Sequence, residues 1–427
     1  MKRLLVIGFG LLIVRVVVTM LSTTITYPEI QHQTRVHFAL KSADYFLRSG
    51  VPMMLQSTDG TVQPIEEIWP DDQGQTVMLH AIAASTRSVL SRIAVKRLNV
   101  FLNAACLTVL VLVFWKMGLR TVALAALLVG TWSTVPGPFP GAEGRSIYIG
   151  LYMLTLAAFL LSAGHLRQEW NSIGAHLVVT FLVIVCLGLA CLFRKAIGLI
   201  GIISIVIYTV LSAQHYLRPR LRFFANLGLI VIGLMAAYYL PAAVIKLRNI
   251  TFDIPRPKIS YFGHGFGHNV LIGLGLVPNS VGLRWDDASG EKYMQKKHPH
   301  VGFMSDEYFS LVWREYAALV RQRPMEVAGI YFRKSLISLA NLQLPWLLGL
   351  LQVFATVFLT REIWLKPIPV AITLAFGAGV SSLLVLLQGV VAWTIPDYIY
   401  PAKFGVQIFW ISLVIAGIDR FVRQPRK

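Results

Sequence analysis

Long apolar runs recur through this chain, and several can cross the hydrocarbon core of a bilayer, which takes about 20 residues of helix over roughly 30 Å. Backbone polar groups in lipid must be satisfied within the segment itself, so runs of this length predict helices and not a barrel. Ten segments read as spans: 4–22, 98–116, 120–135, 146–163, 176–193, 197–213, 223–243, 345–360, 367–391 and 403–419. The second and third leave only Met117-Gly118-Leu119 for a tight turn. The expected fold class is an all-α polytopic membrane protein with about ten transmembrane helices and two large extracytoplasmic loops carrying amphipathic surface helices.

Composition agrees, since 56% hydrophobic and 14% charged residues do not suit a soluble globular domain. The formal charge of +19 sits mostly beside span ends, where cations contact lipid headgroups, and not on one clustered face, so nucleic acid is not an expected partner. Met1-Lys2-Arg3 and the apolar stretch to Leu21 read as a retained first span, because the run exceeds the apolar part of a usual signal peptide. Cys106, Cys186 and Cys191 all fall inside apolar runs, without the spacing of a disulfide framework or a metal site.

Orientation follows from the Lys/Arg bias. With the N-terminus inside, the short inner segments carry fourteen cations, from Lys2 to Lys427, and the short outer segments carry four: Arg145, Arg194, Lys195 and Lys403. Residues 76–97 also look helical, but with His80, Arg87, Arg92, Lys96 and Arg97 they suit an amphipathic helix on the outer surface. If that segment spanned, every later orientation would invert. Two long outer loops result, 23–97 and 244–344, holding fifteen of the twenty acidic residues. The chain thus divides into an N-terminal transmembrane module (1–243) with the first loop, the second loop (244–344) with a further amphipathic helix over 326–344, and C-terminal spans (345–427).

Chemistry is expected on that loop face. Glu29 and Asp44 lie just after the first span among His32, Arg35, His37, Lys41 and Arg48, a setting for a general base beside a held phosphate, or for a plain solvated helix. Glu66-Glu67 and Asp71-Asp72 are of a type that binds Mg²⁺ or Mn²⁺, but no third ligand stands at a readable spacing, and a turn with helix-capping acids is the simpler account. No cofactor is required by the sequence. Residues 136–145, rich in Pro and Gly and ending at Arg145, read as an irregular loop that is either the floor of a cavity or an ordinary connector. Arg194-Lys195 interrupts a long apolar stretch, either as snorkelling charges at a turn or as cations facing a lipid phosphate. In the second loop, His264 and His268 stand four apart with glycines between them, which argues against a helix presenting both to one metal. Gly273-Leu274-Gly275 follows no expected strand, so it is not a nucleotide loop; with Asp286 and Asp287, this string suits a sugar or headgroup site or a structural plug. The last outer loop combines Asp397, Tyr398, Tyr400 and Lys403; its tyrosines read either as interfacial anchors or as lining of the same cavity.

The layout resembles the GT-C superfamily of membrane glycosyltransferases, which use polyprenyl-phosphate-linked sugars. The likeness covers most of the chain: a long outer loop directly after the first span, a surface helix leading into the second span at Arg97-Leu98-Asn99, an outer Pro-rich turn before Arg145-Ser146, and the Arg194-Lys195 break. The string from His268 through Gly273-Leu274-Gly275 to Asp286-Asp287 is similar to a loop of bacterial membrane proteins of this general type. The family usually places an acidic residue, often an Asp-Glu pair, soon after the first span; here Glu29 is the nearest acid and Asp44 the next. The resemblance implies transfer of a sugar from a polyprenyl-phosphate donor to a hydroxyl of a glycan, lipid or protein on the outer face of the cytoplasmic (inner) membrane. Glu29, or else Asp44, would be the base; Arg194, Lys195 and Arg145 would hold the phosphate; His264, His268, Asp286 and Asp287 would shape the sugar or acceptor site. The competing readings are an O-antigen polymerase or ligase, and a transporter or lipid flippase, for which broken midplane helices and inverted repeats would be the sign.

Overall fold

The structure, a computed structural model, describes residues 2–22, 33–57, 59–68, 73–133, 147–166, 173–216, 220–254, 265–303, 305–341, 346–365, 369–391 and 396–423. Among the described residues, each of the ten expected runs falls on a helix. They form α1 (Lys2–Leu21), α5 (Arg92–Lys116), α6 (Arg120–Ser133), α7 (Tyr148–Leu166), α8 (Ile173–Phe193), α9 (Lys195–Tyr216), α10 (Arg220–Thr251), α15 (Trp346–Leu365), α16 (Val370–Val391) and α17 (Pro396–Arg423). The first long loop adds α2 (Gln33–Ser49), α3 (Ile65–Ile68) and α4 (Gly74–Thr86); the second adds α11 (Gly265–Gly273), α12 (Asp287–Lys297), α13 (Asp306–Gln322) and α14 (Pro324–Asn341).

Among the described residues, seven helices are long and apolar enough to cross a membrane: α1, α5, α7, α8, α9, α10 and α16. The apolar stretches of α6 and α17 are shorter, Arg120–Thr131 and Tyr400–Ala416. Every residue of α7 is buried, and α5, α8, α9, α16 and α17 pack around it. Large apolar side chains cover the outside instead, among them Ile13 on α1, Phe181 on α8, Ile232 on α10 and Phe354 on α15. That distribution is opposite to a soluble protein's and suits a surface that faces lipid. Inside the bundle the Tyr152 hydroxyl pairs with Ser381 (2.7 Å) and Ser382 (3.0 Å), tying α7 to α16. The chain is an all-α multi-pass membrane protein.

The turn between α5 and α6 is as tight as the spacing requires. Gly118 takes a positive φ of 78°, and Leu119 N–H donates to Phe114 O at 2.9 Å.

The helix expected over 76–97 is corrected: it is two helices. α4 ends at Thr86, Arg87 adopts a left-handed conformation (φ 48°, ψ 37°), and α5 begins at Arg92. The break falls where Ser85 and Thr86 turn their hydroxyls onto Ile82 O, both at 2.9 Å, competing for backbone partners at the end of the helix. Lys96 and Arg97 then belong to the start of a span. They cap the C-terminal end of α1, Lys96 Nζ donating to Ser22 O (3.0 Å) and Arg97 Nε to Met20 O (3.1 Å), where cations meet the negative end of the helix dipole.

In the first long loop α2 packs on α4 through Val36, Ala39 and Ala43 against Leu79 and Ala83. A hairpin of β1 (Met54–Gln56) and β2 (Val62–Pro64) joins them, with Leu55 opposite Gln63. The second long loop has its own core, in which Leu271, Leu274, Met294, Tyr308, Val312 and Ile330 meet. Its glycines allow close backbone approach: a Cβ on Gly275 would lie 2.4 Å from the backbone of Arg284.

Candidate functional site

Arg194 occupies a one-residue corner between α8 and α9. Its N–H completes the last turn of α8 on Ala190 O (2.8 Å), and its carbonyl accepts the first turn of α9 from Ile197 (2.9 Å) and Gly198 (3.2 Å). Residues seven apart in a continuous helix would be separated by about 10 Å. A Cβ on Gly198 would instead stand 2.7 Å from the backbone nitrogen of Cys191, so the two helices fold back on each other at Arg194.

The corner is half-buried and ringed by polar and aromatic groups. The Arg194 guanidinium lies 5.8 Å from the Tyr148 ring centre, and Lys195 Nζ lies 4.5 Å from that of Tyr238. Gly74, which opens α4, rests on Phe193, where an added Cβ would be 2.8 Å from the backbone nitrogen. Beside it, Gln75 Nε2 donates to Asn99 Oδ1 (3.2 Å), and one turn further along α5 Asn103 Oδ1 accepts the Gly150 N–H (3.1 Å). Gln75, Asn99, Asn103 and Tyr148 are all buried. The α8–α9 corner thus meets the first-loop cap at Gly74, next to Gln75 and its buried amide partner Asn99.

A second polar knot fastens that cap. Arg248, near the end of α10, donates to both carboxylate oxygens of Glu66, at 2.9 Å through Nη1, and also to Met53 O at 3.1 Å. Met53 has a positive φ of 60°, a conformation that costs a non-glycine residue about 1–3 kcal/mol, and its peptide groups are held on both sides. Its N–H donates to His80 Nε2 (3.3 Å), while His80 Nδ1–H donates to Thr76 O (2.6 Å), which fixes the tautomer. Burial of the ring pushes its pKa down, so it stays neutral. The knot shows Glu66, which stands in the first turn of α3 as a capping acid would, to be buried and committed to Arg248. It also joins the first long loop to the segment that opens the second, so both lie at the same end of the bundle.

The remaining sequence candidates are distributed differently. Asp44 is on the exposed side of α2, paired with Arg48 one turn on (3.1 Å), while Ser42 faces inward to His80. Asp286 is the N-cap of α12, accepting from Ser289 N–H. Asp287 accepts from His268 Nε2 (3.2 Å), and His268 Nδ1 pairs with the Tyr308 hydroxyl (2.6 Å). His268 lies within α11, which forms despite the glycines on either side of it. These three bonds stay within the second-loop core, and the site at Arg194 is built from other residues. Glu29, Arg145, His264 and Asp71-Asp72 lie outside the described residues. Among the described residues no group of three or more His, Cys, Asp or Glu gathers to hold a metal.

Sequence reasoning missed Gln75, Tyr148 and Arg248 as site residues, noted Asn99 only at the entry to the second span, and passed over Asn103. The last two had a signal: amides four apart in an apolar run share one helix face, and such residues within spans face the bundle interior.

The chain is thus a multi-pass helical membrane protein with a half-buried cationic corner against its first-loop cap. Compared with protein-family models, with curated proteins and with solved structures, the chain matches none.

Proposed function

We propose that this chain is a membrane glycosyltransferase that moves a sugar from a polyprenyl-phosphate-linked donor to an acceptor hydroxyl on the outer face of the cytoplasmic membrane. The observation that carries the reading is the corner at Arg194. Two cations stand at the positive end of α9, half-buried at the loop-covered end of the spans, where the phosphate of a lipid in the bilayer arrives. The buried amides of Gln75, Asn99 and Asn103 beside them suit a polyhydroxylated headgroup.

In the transfer, the bond from the anomeric carbon to the phosphate oxygen breaks and its electron pair stays on the phosphate, which Arg194 and Lys195 hold. The acceptor oxygen forms the new bond to that carbon and gives its proton to a carboxylate. Charge builds on the leaving phosphate in the transition state, so fixed cations lower the barrier there more than they tighten binding of the donor. Glu29 is the base in this account and Asp44 the second choice, because Asp44 is paired with Arg48 on the exposed side of α2. Arg145, three residues before Tyr148 in sequence, is the third phosphate ligand.

The test is release of polyprenyl phosphate by the purified protein in proteoliposomes from a panel of polyprenyl-phosphate sugars, comparing wild type with Glu29→Gln and Asp44→Asn. Release lost in one variant supports the transferase and assigns its base. Movement of lipid-linked sugar across the membrane without a covalent product would point instead to a flippase.

A further inference from the structure

Helix α14 is apolar on two opposite faces. One face, Val327, Ile330 and Lys334, is buried against the second-loop core and the end of α16. The other carries Met325, Phe332 and Leu336, spaced by seven and four residues in one line along the helix, and all three are exposed, Met325 to 83%. A soluble domain does not leave such a stripe bare.

The position of α14 says what covers it. Lys334 Nζ donates to Val391 O (3.0 Å), the last residue of the α16 span, and to Gly273 O (2.8 Å), the last residue of α11. The ammonium therefore sits where the C-terminal ends of two helices converge, one from the bundle and one from the second loop, and pins α14 at the level where a span ends. After four further residues the chain continues as α15, whose Phe354, Val357 and Phe358 belong to the apolar outer surface of the bundle. Arg321, Arg323 and Arg333 are exposed at or near α14, a complement to anionic headgroups. With Glu326, Arg333 and Lys334 in its length, α14 is not among the helices apolar enough to cross the membrane.

We propose that α14 lies in the plane of the membrane surface, with Met325, Phe332 and Leu336 among the lipid acyl chains, and that it fastens the second long loop to the bilayer. The helix thereby has lipid on one side and protein on the other, as an amphipathic anchor does.

A polarity-sensitive fluorophore on Phe332→Cys, compared with one on Arg314→Cys of α13, tests this in proteoliposomes of mixed phosphatidylglycerol and phosphatidylcholine. The three native cysteines are buried and leave the introduced thiols as the labelling sites. The expected result is loss of most of the emission at 332 with chain-brominated lipids and little loss with aqueous iodide, and the reverse at 314. Quenching of the 332 probe by iodide would overturn the proposal. Protection of that probe from both quenchers would also overturn it, by showing that protein covers the stripe. Neither readout depends on glycosyltransfer, so the proposed reaction can fail while this proposal stands.

Discussion

Arg248 grips the carboxylate of Glu66 across 182 residues of sequence, and both side chains are almost fully buried. The pair binds the first-loop cap to the last turns of α10. Removing one member leaves the other charged and buried, which costs about 3–5 kcal/mol, whereas replacing both by apolar residues of similar size is far milder. Arg248→Met and Glu66→Leu should each lower the thermal midpoint markedly in detergent, and the double variant should recover most of the loss. Additive losses in the double variant would show that the pair does not act as a unit.

Lys334 gives stability a pH dependence. Burial pushes its pKa down to about 7. The unfolded side chain, near the ordinary lysine value of about 10.4, then binds more protons than the folded one between those limits. Stability contributed at this site is lowest below pH 7, where the folded lysine carries its full charge at the cost of desolvation. It rises with pH toward the unfolded value, by about 1.4 kcal/mol per pH unit inside the window. The neutral amine still has two hydrogens for Gly273 O and Val391 O, so losing the proton does not break the contact. Unfolding midpoints measured from pH 6 to pH 10 should climb for wild type and climb less for Lys334→Met.

Gly198 is required by the corner at Arg194. Its missing Cβ would fall 2.3 Å from Cys191 Sγ and 2.9 Å from Cys191 Cα, and backbone cannot swing aside as a side chain can. Gly198→Ala should destabilise by about 1–3 kcal/mol, as overpacking does, and should splay α8 from α9. Thermal unfolding measures the first effect, and the distance between spin labels on the two helices measures the second.

In the second loop, the Tyr308 hydroxyl satisfies His268 Nδ1 in a site closed to solvent. Tyr308→Phe keeps the ring and removes that partner, at an expected cost of about 1–3 kcal/mol for the orphaned nitrogen. His268→Phe with Tyr308→Phe should cost less than the sum of the two single changes, since both polar partners are then gone. Urea unfolding of the three variants decides it.

The bundle was the legible part of this chain, because lipid demands apolar runs of one minimum length; among the described residues each expected run falls on a helix, and seven of these helices are long and apolar enough to cross a membrane. Arg194 stood out for the same reason, as a charge where none belongs. The break at Arg87 did not, because it is made by Ser and Thr hydroxyls without a glycine or proline to mark it. The helix at Gly265–Gly273 runs against its own glycines, each worth about 1 kcal/mol against helix, because Val270, Leu271 and Ile272 are buried and Gly267 fits against Trp313. Glu66 and Arg248 were unreadable as a pair, since nothing in either neighbourhood names a partner so far along the chain.

Turnover of a polyprenyl-phosphate sugar by Arg194→Gln decides whether the Arg194 corner holds a leaving lipid phosphate. In this variant kcat for release of polyprenyl phosphate should fall by about 100-fold or more, with KM for the donor changed far less and thermal unfolding close to wild type. An Arg194→Gln variant that turns over as wild type does, or a folded wild type that releases polyprenyl phosphate from no donor, would contradict it.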